Sequence, residues 1–291
     1  MDKFVEKVVI ITGSGSGFGR EFALKGAALG MKLMLADVDE DSLLETVELV
    51  KAFDVEVLGL KIDVSDAFQV EELARRTMEA YGAAHLLFNN AGVGTGGFLW
   101  ESTAKDWAWT FGVNVMGVAN GIRSFIPLML KQNEPAHIVN TASIAGFLSA
   151  TGMGVYNASK HAVVSLTETL YHDLKIVGDK VSCSLLCPGF VPTGIANAER
   201  TRPQPLRNES PMTASQRMAN RQLTRAVRSG LINAKEVADI TFDAVRDGRF
   251  YIFTHPPMMD SVKLRFDDIA GLRNPSAVHE DAISSPATRE L

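Results

Sequence analysis

The chain has 291 residues and a formal net charge of −5, with 46% hydrophobic and 22% charged residues. That balance suits a globular chain with a large core, and an acidic total argues against nucleic acid, whose phosphates need a basic surface. No apolar run approaches the roughly 18 residues of a membrane span, and MDKFVEKVVII lacks the apolar core and cleavage site of a signal peptide, so a cytoplasmic protein without membrane contact is expected.

The first predicted strand, 8–12, is VVIIT. Four glycines follow within seven residues, Gly13, Gly15, Gly17 and Gly19, and a helical pattern runs over 18–29. Glycine costs conformational entropy, so the cluster needs a reason. A loop that ends a strand and opens a helix offers free N–H groups and a positive dipole end, and glycine lets that backbone approach a phosphate. The spacing is T-G-x-x-x-G-x-G, from Thr12, Gly13, Gly17 and Gly19; no G-K-[ST] follows, so it is not a P-loop. The second strand, 33–37, ends in Asp37, eighteen residues after Gly19. A carboxylate there accepts from the ribose hydroxyls of a dinucleotide. A 2′-phosphate would face it, and two unit charges at 4 Å repel by about 4 kcal/mol at an effective dielectric of 20. Neither 14–18 nor the residues just after Asp37 supply a cation, which favours NAD over NADP.

Helix 40–53, strand 57–63, helix 70–81, strand 86–90, helix 105–131 and strand 138–142 come next. Runs such as LLFNN and IVNTA are apolar without alternation, as in strands covered on both faces. Strict β/α alternation predicts a single α/β domain, a doubly wound Rossmann-type parallel sheet of about seven strands. Ser143 lies just past the fifth strand. Tyr156 and Lys160 stand four apart at the start of helix 156–177, so they share a face. All three can converge at the carboxyl edge of the sheet, where such folds bind ligands. Hydride transfer to a ketone puts charge on the carbonyl oxygen and requires a proton. A tyrosine hydroxyl titrates near 10, and bringing it to 7 takes roughly 4 kcal/mol. One ammonium at about 4 Å supplies that order of energy; Lys160 is placed to do so, and Ser143 to hold the carbonyl.

Strand 181–187 carries Cys183 and Cys187, about 13 Å apart on a strand and too distant for a disulfide; they read as buried thiols. The segment 194–230 is polar and Arg-rich, with no strand signal, where a lid or substrate lobe would fit. Within it Arg217, Arg221, Arg225 and Arg228 recur at helical spacing, either as a solvated face or as a site for a substrate anion. Helix 234–246 and strand 251–253 complete the alternation, and 275–291 reads as a surface tail. The histidines show no H-x-x-x-H or H-E-x-x-H spacing, so no metal is expected.

These motifs together resemble the short-chain dehydrogenase/reductase family over about residues 4–255. TGSGSGFG matches the family's cofactor loop, which implies that Gly13, Ser14, Gly15, Ser16, Gly17, Phe18 and Gly19 meet the dinucleotide. Asp63 and Val64 match the pair that contacts adenine; Asn90, Ala91 and Gly92, in NNAG, border the adenosine ribose. PGFVPTG, with Pro188, Gly189, Val191 and Thr193, matches the loop that meets the nicotinamide carboxamide. The resemblance implies Tyr156 as general acid/base and Ser143 as substrate orienter. Lys160 would bind the nicotinamide ribose and lower the tyrosine pKa, and Asn114 would link Lys160 to solvent through water. It also implies a homodimer or homotetramer through the two long helices. Flanking the expected site are Thr95, Gly96, Ile144, Phe147, Leu148, Met153, Phe190 and Ile195. These are largely apolar, which suits a hydrophobic secondary alcohol or ketone, aromatic or cyclic ones included. An NADP-linked ketoreductase and a nucleotide-binding regulator without turnover are the alternatives.

Overall fold

The computed structural model describes residues 4–277. Seven strands form one sheet: β1 (Val8–Thr12), β2 (Lys32–Asp37), β3 (Val57–Lys61), β4 (Leu86–Asn89), β5 (Ala136–Thr141), β6 (Val181–Cys187) and β7 (Tyr251–Phe253). Their order is β3-β2-β1-β4-β5-β6-β7, and every pairing is parallel. The chain winds outward from β1 to β3, then returns beside β1 as β4. That reversal opens a crevice at the carboxyl ends, where Thr12 pairs with Ala36 and Asn89 with Asn140.

The helices are α1 (Gly17–Ala28), α2 (Glu40–Lys51), α3 (Ala67–Tyr81), α4 (Ala104–Phe111), α5 (Gly117–Gln132), α6 (Gly154–Val177), α7 (Ala214–Arg228), α8 (Ala234–Arg246) and α9 (Met259–Ala270). One face of the sheet packs Phe22, Phe88 and Phe242 beneath α1 and α8. Phe22 stacks on Phe88 with centroids 4.4 Å apart, an arrangement worth about 1 kcal/mol beyond area burial. The other face packs Met34, Leu87, Phe125 and Met129 beneath α3, α5 and α6. Cys183 and Cys187 are both buried and unbridged.

Several elements depart from the sequence expectation. Helix α3 starts at Ala67 because the Asp66 carboxylate accepts from Phe68 N and caps it. The expected helix 105–131 is interrupted by a π turn at Gly112–Met116. As one 29-residue rod it is long and apolar enough, by length and composition, to cross a bilayer, its most apolar 18-residue stretch having a mean hydropathy of 1.3. The expectation that no such segment exists is thus corrected. Its apolarity has a local cause: Trp109, Val118, Phe125, Ile126 and Met129 are buried, and α5 packs on α3 and β4. Helix α9 was not expected; Val262 is its one buried apolar side chain, so its periodic signal is weak. The predicted tail falls mainly outside the described residues.

The segment 194–230 folds as short 3₁₀ turns, Gly194–Thr201 and Gln204–Leu206, followed by α7. A buried ion pair pins it to α4: Arg202 Nη2 lies 2.7 Å from Asp106 Oδ1, and the two side chains are 1% and 6% exposed. The Arg202 guanidinium sits over the Trp109 ring at 4.8 Å. Burial pushes the Asp106 carboxyl up, but hydrogen bonds from Thr103, Arg202 and Asn208 outweigh it and leave the group below its ordinary range. At the start of α7, the Ser215 and Thr213 hydroxyls both donate to Glu101 Oε2.

Candidate active site

The carboxyl edge of the sheet opens into a cavity of about 570 Å³ that runs from Asp37 to α7. Its floor is the loop between β1 and α1. Gly13 has φ +67°, and a Cβ there would lie 2.7 Å from Ala91 Cα. At Gly19 a Cβ would fall 2.0 Å from Gly13 O, so the first turn of α1 lies directly on the loop. Gly13, Ser16, Gly17 and Phe18 line the cavity. Ser14, Gly15 and Gly19 do not, although the family resemblance implies that all seven meet the cofactor. Ser14 turns inward, its N–H and hydroxyl both donating to Ala36 O at 3.1 Å. Gly15 N donates to Asp37 Oδ2 at 2.8 Å. These three shape the loop from beneath.

At α2 and α3 a side chain, Asp39 or Asp66, takes up free N–H groups of the first turn. At α1, Ser16 makes no such bond and the first turn holds no acid. The result is a positive helix end facing a glycine-floored cavity, which fits the diphosphate of a dinucleotide.

Asp37 lines the cavity beside Asp63, Val64, Asn90, Ala91 and Gly92. Burial raises the Asp37 carboxyl above its usual range, and N–H groups of Asp39 and Gly15 draw it back. Asn90 Nδ2 donates to Thr12 O at 3.1 Å, tying the fourth strand's end to the first. The fold also brings in what local sequence lacked. Arg200, from the 194–201 turn, lines the cavity and lies 3.7 Å from Asp39 Oδ2. The premise that no cation stands near Asp37 therefore holds for its sequence neighbours only. Arg20 is the second missed residue; its Nη2 donates to Gly15 O at 2.6 Å and stiffens the loop.

At the other end Ser143, Tyr156 and Lys160 line the cavity together. Lys160 is buried, donates from Nζ to Thr141 O at 2.9 Å, and lies 5.7 Å from the Tyr156 ring centroid. Burial pushes its ammonium down to about 8. Burial also raises the Tyr156 phenol, against which the Ser143 hydrogen bond acts. The Lys160 ammonium donates to a main-chain carbonyl, and burial is the largest influence on the Tyr156 phenol.

Asn114 lies outside the cavity wall, fully buried in the π turn. Its Oδ1 accepts from Val93 N at 2.8 Å, and its Nδ2 donates to Val93 O and Ser159 Oγ, both at 2.9 Å. Ser159, absent from the sequence assignment, also donates to Tyr156 O at 2.7 Å. Its position directly before Lys160 was the only sequence signal.

Pro188, Gly189, Val191 and Thr193 line the cavity above β6. His255 supports them, its Nδ1 accepting from Gly189 N at 3.1 Å. Of the expected substrate wall, Ile144, Leu148, Met153, Phe190 and Ile195 line the cavity. Thr95, Gly96 and Phe147 are corrections. Phe147 packs between Phe253 and Tyr251 in the core, the Thr95 hydroxyl pairs with Thr110 at 3.1 Å, and Gly96 packs against Ala219. The segment expected as a lid or substrate lobe supplies a further wall through α7, where Ala219, Leu223 and Ala226 are lining residues that sequence patterns did not single out.

Comparison with known proteins decides the family. The short chain dehydrogenase family model matches residues 7–204. The chain is a short-chain dehydrogenase/reductase. As a member of that family it is an oxidoreductase acting on CH–OH groups. A short-chain dehydrogenase/reductase of Burkholderia phymatum, solved in complex with NAD, is 63% identical with a TM-score of 0.95, covering 96% of this chain and 100% of its own. The CLA biosynthesis dehydrogenase/reductase of Lactiplantibacillus plantarum is 36% identical over 88% of this dehydrogenase and 90% of its own length. The 1-deoxy-11-beta-hydroxypentalenate dehydrogenase of Streptomyces exfoliatus is 29% identical over 90% and 88%.

Proposed function

We propose that this dehydrogenase interconverts a hydrophobic secondary alcohol and its ketone with NAD(H), using Tyr156 as proton donor and acceptor. The observation that carries the reading is the meeting of a glycine-floored, Asp37-ended groove with Ser143, Tyr156 and the buried Lys160 in one cavity. A bound nicotinamide dinucleotide supplies the hydride exchange and, when oxidised, a positive charge beside the phenol. Tyr156 moves the proton to or from the substrate oxygen at its Oη. The Ser143 hydroxyl holds that oxygen and stabilises the charge it carries. Lys160, buried and charged below about pH 8, favours the phenolate electrostatically. Asn114 and Ser159 fix the helix that carries Tyr156 and Lys160. The apolar walls exclude water, which strengthens these interactions.

NAD over NADP is supported by two carboxylates at the ribose end, Asp37 and Asp39, against one guanidinium, Arg200, already paired with Asp39. The likeness to the Burkholderia phymatum complex with NAD points the same way. A panel of hydrophobic secondary alcohols, assayed with each coenzyme through the absorbance of the reduced nicotinamide, tests the reading. Turnover with a higher kcat/KM for NAD is expected. Preference for NADP would overturn the role given to Asp37, and no turnover with either coenzyme would overturn the reaction.

A further inference from the structure

Helix α7 has two faces. Ala219, Leu223 and Ala226 turn into the active cavity. Arg221, Arg225 and Arg228 stand exposed at its side, and no ion pair engages them among the described residues. With Asn220, Thr224 and Ser229 they line a second depression of about 600 Å³. Arg225 and Ser229 line both spaces, so the basic depression meets the active cavity at its rim. The local charge is one-sided. The chain is net acidic, yet 210–235 contains no Asp or Glu and five basic residues, the fifth being Lys235. Like charges three and four residues apart on a helix repel and cost stability. A guanidinium presents a planar fork of donors that matches carboxylate and phosphate oxygens. The Thr224 and Ser229 hydroxyls and the Asn220 amide can add further donors.

The geometry points to an anionic oxyacid group on the substrate, a carboxylate or phosphate held by Arg225 and flanked by Arg221 and Arg228. The apolar body of that substrate lies along Ala219, Leu223 and Ala226 toward Tyr156. This inference rests on the alcohol/ketone reading above and names its substrate class: an amphipathic secondary alcohol or ketone with a charged end.

The test uses the full-length enzyme, NAD, and alkyl secondary alcohols of graded length in three forms. One form ends in a carboxylate, one in a phosphate monoester, and one in the methyl ester of the carboxylate. The expected result is a lower KM for an anionic form than for its ester at a matching length. Arg225→Gln, at an exposed position, should lower kcat/KM for that anionic form about fivefold more than for the ester, the scale of one exposed ion pair. The preference should weaken as salt is added. The anionic form that responds more strongly identifies the group. Turnover of esters as efficient as that of both anions, or an equal loss on all three forms in Arg225→Gln, overturns the anion site and leaves the oxidoreductase reading standing. Absence of turnover on all three forms overturns both.

Discussion

Replacing Gly19 with alanine tests the cofactor floor most directly. The added Cβ would sit 2.0 Å from Gly13 O, 2.6 Å from Gly13 C and 2.9 Å from Asn90 Nδ2. Ordinary carbon contacts lie near 3.5 Å, so the loop or the first turn of α1 must move by more than about 1 Å. The obstacle is main chain, which cannot rotate away as a side chain would. Overpacking of this kind costs about 1 to 3 kcal/mol, and a misplacement of about 1 Å can cost on the order of 100-fold where geometry governs function. The expected outcome is a lower unfolding midpoint and an NAD affinity weakened on the order of 100-fold by calorimetry. Gly82→Ala is the control: its φ of +71° strains any side chain, but nothing lies within 4 Å of the added atom. It should lose about 1 to 2 kcal/mol of stability and bind NAD normally. If Gly19→Ala bound NAD as tightly as the parent, the inference that this backbone cradles the diphosphate would fail.

Two further outcomes follow from the geometry. Tyr156→Phe should lower kcat by about 100- to 10,000-fold, the range for loss of a general acid/base, with NAD affinity nearly intact; retention of most activity would refute the assigned role. His137, buried on β5 beside β6, contacts Ser182 Oγ and Ser184 Oγ at 2.7 Å each. The Ser184 hydroxyl donates to Arg249 O, so the ring N–H faces Ser184 and the other nitrogen accepts from Ser182. Burial pushes this imidazole down to about 3 from its ordinary 6.5. The unfolded chain then binds the extra proton, and stability that is full above pH 6.5 is lost as pH falls toward 3. Between pH 6.5 and 5.0 the parent should lose about 2 kcal/mol more than His137→Gln in urea titrations. Parallel pH dependence in the two proteins would show that the ring is not held neutral.

Much of this dehydrogenase is written locally. The strand runs, the glycine spacing at Gly13 to Gly19, Asp37 at a strand end, and Tyr156 with Lys160 one helical turn apart are short-range patterns, because backbone sterics and helical periodicity act between near neighbours. That is why the seven strands, and the trio Ser143, Tyr156 and Lys160 that lines the cavity, are legible in the sequence. What the tertiary structure alone decided involves partners far apart in the chain. Arg200 stands beside Asp39 across 161 residues, and Arg202 pins the 194–230 segment to Asp106 across 96. Which apolar residues face the cavity was equally illegible: Phe147 and Leu148 are chain neighbours, yet only Leu148 lines it, since Tyr251 and Phe253 take the Phe147 ring into the core. The same holds for protonation. Residue type sets the ordinary titration of Tyr156 and Lys160, but their displacement depends on water removed by segments distant in sequence, and only the packed fold determines how much is removed.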